Sequence, residues 1–271
     1  IVSRDWSSDV CSSDLPALFL RILTAIVLLA IVVPAIAMAP DWLWLLFCIL
    51  VAMACSLEWC GLSGVRKGGR FLVVGLTGIA TGIFLGFPAF APWVYWPAMM
   101  VWLAVSLTVI RQQTSDVGRT LKILAGSIAI VAAIVALSEL RNASAIALVA
   151  LMAIVWISDT SAYLVGRAFG KVKLAPMISP GKTWEGVAGA ILAVFVYGAI
   201  LRKFFPGVLE SLDGPRRQSG AELLLTWIVL AIAGILGDLG ESWAKRIAGV
   251  KDSGTMLPGH GGILDRVDAL L

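Results

Sequence analysis

The sequence predicts an all-α, polytopic integral membrane protein, and three observations predict it. The 271 residues are 59% hydrophobic and only 14% charged, with a mean hydropathy of +0.94. A soluble domain is about 45–50% apolar and about 25% charged, so a water-soluble core is excluded. The apolar runs are continuous rather than alternating, which selects helices over a transmembrane barrel. Eleven tryptophans suit a chain that crosses two membrane–water interfaces.

The elements follow from hydropathy at roughly 20 residues per crossing. Residues 1–15 stand apart: "DWSSDVCSSDL" is polar, low in complexity and reads as a translated sequencing adapter, a non-native tail. Spans are then expected over 18–39, 42–60, 71–87, 93–110, 121–137, 143–163, 187–201 and 223–239. A further helix is expected to be cut off after Asp268, where only "ALL" remains. The first run, with Arg21 at its start and "AIAMA" at its end, mimics a signal peptide. Its length and the spans that follow favour a membrane helix. The chain divides into N-terminal transmembrane helices over 16–142 and a catalytic membrane region with cytoplasmic loops over 143–271.

Basic residues give the orientation. Alternate loops carry Arg66, Lys67 and Arg70, then Arg111, Arg119 and Lys122, then Arg167, Lys171, Lys173 and Lys182, then Lys245, Arg246, Lys251 and Arg266. The intervening turns hold at most Arg141, apart from Arg202, Lys203, Arg216 and Arg217. The basic side is expected to be cytoplasmic. The net charge of +4 then reflects membrane anchoring rather than nucleic-acid binding. Cys11, Cys48, Cys55 and Cys60 lack metal-ligand spacing and read as packing residues.

Two polar stretches on that side carry the chemistry. "WISDTSAYLVGRAFGKVKLAPMISPGKTWEG" leaves a span through Asp159 and Ser161, at a depth where an ionisable group is costly. It then offers a Pro-Gly turn before Lys182 and Glu185. "GKT" lacks the upstream glycine and strand of a Walker loop. Lys182 alone fits a membrane-surface lysine as well as a phosphate ligand.

The second stretch starts at Asp238 and ends in "KDSGTMLPGHGGILDRVD". If the last span continues as helix, Glu241, Ser242 and Lys245 share a face with Asp238. Asp265 and Asp268 stand three apart. Carboxylates clustered with lysine and arginine suit Mg²⁺ bound together with phosphates. His260 is the only histidine, so zinc is improbable, and a phosphate-bonding or structural role suits it better than general base.

Here the residues carry a resemblance. "SWAKRIAGVKDSGTMLPGHGGILDRVD" is similar to the signature of phosphatidate cytidylyltransferases, the CDP-diacylglycerol synthases. Ser242, Lys245, Arg246, Lys251, Asp252, Gly254, His260, Gly261, Gly262, Asp265, Arg266 and Asp268 match its elements. The earlier stretch resembles the family's second block. The resemblance implies transfer of CMP from CTP to phosphatidic acid, with release of pyrophosphate, in a helical membrane homodimer. It implies Mg²⁺ held by Asp238 and Asp265, with Asp268 a further candidate and K⁺ as a possible second cation.

Lys245, Arg246, Lys251 and Arg266 are then expected to neutralise the anionic substrates, with Asp252 and His260 beside them. Asp159, Ser161, Lys182, Glu185, Ser242, Gly261 and Gly262 are expected to bind substrate. The implied location is a bacterial inner membrane, with Asp159, Lys182, Asp238 and Asp265 converging on one cytoplasm-facing cavity. The rivals are another membrane lipid nucleotidyl- or phosphotransferase, such as a polyprenol or lipid kinase, and a transporter with Asp159 and Asp238 as coupling sites.

Overall fold

A computed structural model describes residues 27, 30–112, 117–208, 220–250, 252–254, 256 and 261–267. Helical residues 30–38 precede α1 (Asp41–Leu62), α2 (Lys67–Gly86), a 3₁₀ turn (Pro88–Phe90), α3 (Pro92–Ile110), α4 (Arg119–Ala143) and α5 (Ala145–Phe169). A small hairpin of β1 (Lys173–Ala175) and β2 (Ser179–Thr183) leads to α6 (Trp184–Phe204), α7 (Gly220–Ala248) and the one-turn α8 (Leu264–Val267). Among the described residues, seven helices are long and apolar enough to cross a membrane. The first expected span begins outside the described residues, as do residues 1–15 and Asp268.

Helix starts follow from local chemistry. Ser144 and Thr183 cap α5 and α6 by accepting the Ala147 and Gly186 N–H groups at 3.1 and 3.2 Å. Proline opens α3, where its missing N–H costs nothing. Of the boundaries that differ from expectation, three bear on the basic end. Helix α2 starts at Lys67, which puts Lys67 and Arg70 on its first turns rather than in a loop. "SPGKT" is strand β2, and the turn falls at 176–178. Proline and glycine are tolerated there because a two-stranded sheet is all edge. Helix α7 runs nine residues past the expected end at Leu239, to Ala248.

The outward faces are lipid-like: Phe71 is 82% exposed and Leu72, Leu76 and Ile79 on the same helix are exposed too. Exposed leucine and phenylalanine at this density belong in hydrocarbon. Inside, one cluster joins Trp44, Cys48, Ala52, Cys55, Ile130, Leu148 and Leu264. Cys48, Cys55 and Cys60 are buried and unpaired by disulfides, as packing residues should be.

The two ends differ. At one, Arg141 clasps the chain before α1: it bonds the Ile36 and Ala39 carbonyls, pairs with Asp41 at 2.8 Å and lies 5.3 Å above the Trp44 ring. The other end gathers the basic segments. Trp59 donates to the Lys122 carbonyl at 2.8 Å, the Met177 N–H meets Gln112, and Arg246 reaches the Ile178 carbonyl at 3.1 Å. Val109, Ala175, Ile178 and Trp243 pack together beneath them.

The Trp59 anchor requires glycine opposite it. A Cβ at Gly126 would stand 2.0 Å from the indole ring. Gly126→Ala is therefore expected to cost about 1–3 kcal/mol, as overpacking does. A lower melting temperature in detergent, with Gly75→Ala as a control that meets no neighbour, checks this.

Candidate functional site

The continued α7 helix sets out the site. Asp238, Glu241 and Lys245 recur at three- and four-residue spacing along one face. Two ionic clusters form on that face, separated by about 10 Å of helix rise.

The first cluster joins the two polar stretches of the sequence. Lys182 of β2 pairs with Asp238 at 2.5 Å and approaches the Ile235 carbonyl at 3.5 Å. Asp159 on α5 lies within electrostatic reach of both. All three remain partly accessible: Lys182 and Asp238 are 24% and 28% exposed, and Asp159 is exposed. Ser161, half-buried, follows two residues on. Glu185 has a local task, since both its oxygens accept the Val172 N–H, at 3.1 and 3.3 Å, across the hairpin base.

The second cluster is drier. Lys245 bonds Glu241 and Asp265, each at 2.8 Å, and the three side chains are 14%, 3% and 8% exposed. The Asp265 carboxylate also accepts the Ser253 N–H at 3.1 Å and the Gly262 N–H at 2.8 Å. Burial pushes its pKa up, but the bonds from Lys245 and the Gly262 N–H win, so it falls from 3.8 to about 2. Its folded value is depressed, so its contribution to stability is complete above the ordinary carboxyl range. That contribution is lost progressively as the pH falls from the ordinary carboxyl range through about 2.

Around this core, Ser242 is half-buried, while Arg246, Asp252 and Arg266 are exposed. Gly261 adopts a φ of +79°, which glycine accommodates without strain. Lys251, His260 and Asp268 lie outside the described residues.

The structure places the four residues expected to converge in two neighbouring clusters along one face of α7. Asp159, Lys182 and Asp238 meet, whereas Asp265 joins Glu241 and Lys245 further along α7. A cavity of about 240 Å³ does adjoin the second cluster. Glu241 lines it with Trp102, Val105, Ala129, Gly237 and Gly240, and none of the four expected residues does. The two lysines come from different elements: Lys182 of β2 holds Asp238, and Lys245 of α7 holds Asp265.

Among the described residues, no group of three or more His, Cys, Asp or Glu side chains is arranged to hold a metal. The pairs suit a magnesium ion that arrives with phosphates, since such an ion takes only one or two carboxylates. Asp238 has one strong partner. Asp265 has three donors on about four lone-pair positions, leaving about one.

One residue escaped the sequence reading. Glu58, 5% exposed on α1, accepts the Ser253 hydroxyl at 3.2 Å and the N–H groups of Ile263 and Leu264 at 3.0 and 2.8 Å. The signal was available: it is an acid inside an apolar span, "CSLEWC".

Comparison with known proteins gives three findings. The profile of the cytidylyltransferase family matches residues 19–271. A phosphatidate cytidylyltransferase of Pseudomonas aeruginosa is 33% identical over 258 residues, covering 92% of each chain. Those of Haemophilus influenzae and Brucella abortus are 49% and 45% identical over 117 and 124 residues. These two matches cover 43% and 46% of this chain, and the chain spans only 39% and 42% of the relatives' length.

The two clusters differ in burial, and so should the cost of breaking them. Lys245→Met strands two buried carboxylates and is expected to destabilise by about 3–5 kcal/mol. Lys182→Met, at a wetter pair, should cost clearly less. Chemical or thermal unfolding in detergent micelles ranks the two variants.

Proposed function

Because this chain belongs to the cytidylyltransferase family, we propose that it transfers CMP from CTP to phosphatidic acid, giving CDP-diacylglycerol and pyrophosphate. The observation that carries the reading furthest is the meeting of two distant polar stretches on one face of α7, at the end where the basic segments gather. In this reading a phosphatidate oxygen attacks the α-phosphorus of CTP in line, and the bond to the β-phosphate breaks. The protein contributes positioning and charge rather than covalent chemistry.

Each residue has a defined task. Lys182, freed in part from Asp238 by the incoming anions, binds phosphate oxygens; Arg246 and Arg266, both exposed, add positive charge beside the leaving pyrophosphate. Lys245 holds Asp265 in place. Bound Mg²⁺ would neutralise charge on the triphosphate. Asp238 is its principal proposed ligand, and Asp265 can offer its remaining lone pair. The apolar cavity beside Glu241 suits the acyl chains of a lipid substrate. We further propose a homodimer in a bacterial inner membrane with the basic end facing the cytoplasm, where a soluble nucleotide meets a lipid without extracting it. A K⁺ ion as second cation belongs to the same proposal.

The test uses the purified protein in detergent with phosphatidic acid and radiolabelled CTP. Lipid-soluble label and stoichiometric pyrophosphate are expected; ATP in place of CTP should give neither. A diphosphate product with ATP would mark a lipid kinase instead. Asp238→Asn and Asp265→Asn should each lower turnover about 10²-fold or more, as loss of a transition-state contact does. Near-normal turnover of either at low Mg²⁺ would remove it from the ligand set.

A further inference from the structure

We propose that Glu58 is a positioning residue for cytidylyl transfer, fixing the segment that carries Asp265 from the opposite half of the chain. This rests on the function proposed above, but its structural half is tested separately.

Helix α1 contains two acids, Asp41 and Glu58. Asp41 sits at the far end and pairs with Arg141. Glu58 sits near the site end, 5% exposed. A buried carboxylate is costly unless it is fully bonded. Glu58 is bonded by groups 195 to 206 residues further along the chain: the Ser253 hydroxyl and the Ile263 and Leu264 N–H groups. The last two open α8, where a helix start leaves its N–H groups without intrahelical partners. Leu264 is fully buried, so its N–H has no water to replace Glu58.

The next residue is Asp265. Its carboxylate holds the neighbouring Gly262 N–H and the Ser253 N–H, while Glu58 holds the Ser253 hydroxyl. Two carboxylates therefore grip the same short segment, and Lys245 ties one of them to α7. The fit leaves no room for a side chain: a Cβ at Gly262 would stand 2.4 Å from the Glu58 carboxylate. Glu58 is buried behind this segment and acts through it on Asp265.

The test is Glu58→Gln in the full chain. The amide keeps the size but loses one acceptor oxygen, and its NH₂ faces backbone donors. A shift of about 1 Å in catalytic groups costs about 100-fold, so kcat should fall roughly 10- to 100-fold while KM for CTP stays within about threefold. Amide hydrogen exchange of residues 262–265 should speed up, with α2 to α4 unchanged. Ser253→Ala removes one of the three bonds and should show the same pattern more weakly.

Wild-type kcat in Glu58→Gln would overturn the proposal. So would a loss of kcat with exchange at 262–265 unchanged, which would put Glu58 on the substrate. Faster exchange throughout the bundle would reduce it to a general stability role. If the wild-type protein makes no lipid product, the proposed function fails, and the exchange data still decide whether Glu58 grips the segment.

Discussion

Lys245 is the contact on which the site depends. It stands on a rigid transmembrane helix, one turn after Glu241, and takes hold of Asp265 on a segment with little secondary structure of its own. A cation with two buried carboxylates is stable only if the geometry is good and the remaining lone pairs are filled. Ser253 and Gly262 fill two more of those of Asp265. Hydrogen bonds to carboxylates therefore help to shape the described residues after α7, while Ile263, Leu264 and Val267 pack against the core of the bundle.

The membrane explains why polar chemistry is confined to one end. Within hydrocarbon each backbone group must be satisfied inside its own helix, so irregular backbone is tolerated only where protein surrounds it. The hairpin 173–183 and the described residues 252–254 and 261–263 are such non-helical pieces, and both lie over the end of the bundle where α1, α4 and α7 meet. Lys182 from the hairpin and Asp265 from the segment reach α7 at different heights. The apolar cavity adjoins the second cluster through Glu241.

Much of this was legible in the sequence. Continuous apolar runs place the spans, because helix length is set by bilayer thickness. The spacing of Asp238, Glu241 and Lys245 foretold a shared face, and α7 does continue through it. The strand at "SPGKT" was not legible, since Pro-Gly is ordinarily a turn signal and the pairing with β1 is tertiary in origin. Nor was the split between clusters, because which lysine reaches which carboxylate depends on how the hairpin and the segment dock. Glu58 illustrates the same limit: its partners are some two hundred residues away, so only its cost in an apolar span marked it.

The central claim is that Lys245 and Asp265 act as one unit in turnover. A double-mutant cycle on kcat/KM for CTP tests it most directly, using Lys245→Met, Asp265→Asn and the two together. If they act as a unit, the double variant will be no slower than the worse single one, because either change already breaks the contact. Losses that multiply would contradict the account, and would mean that the two side chains serve the reaction independently.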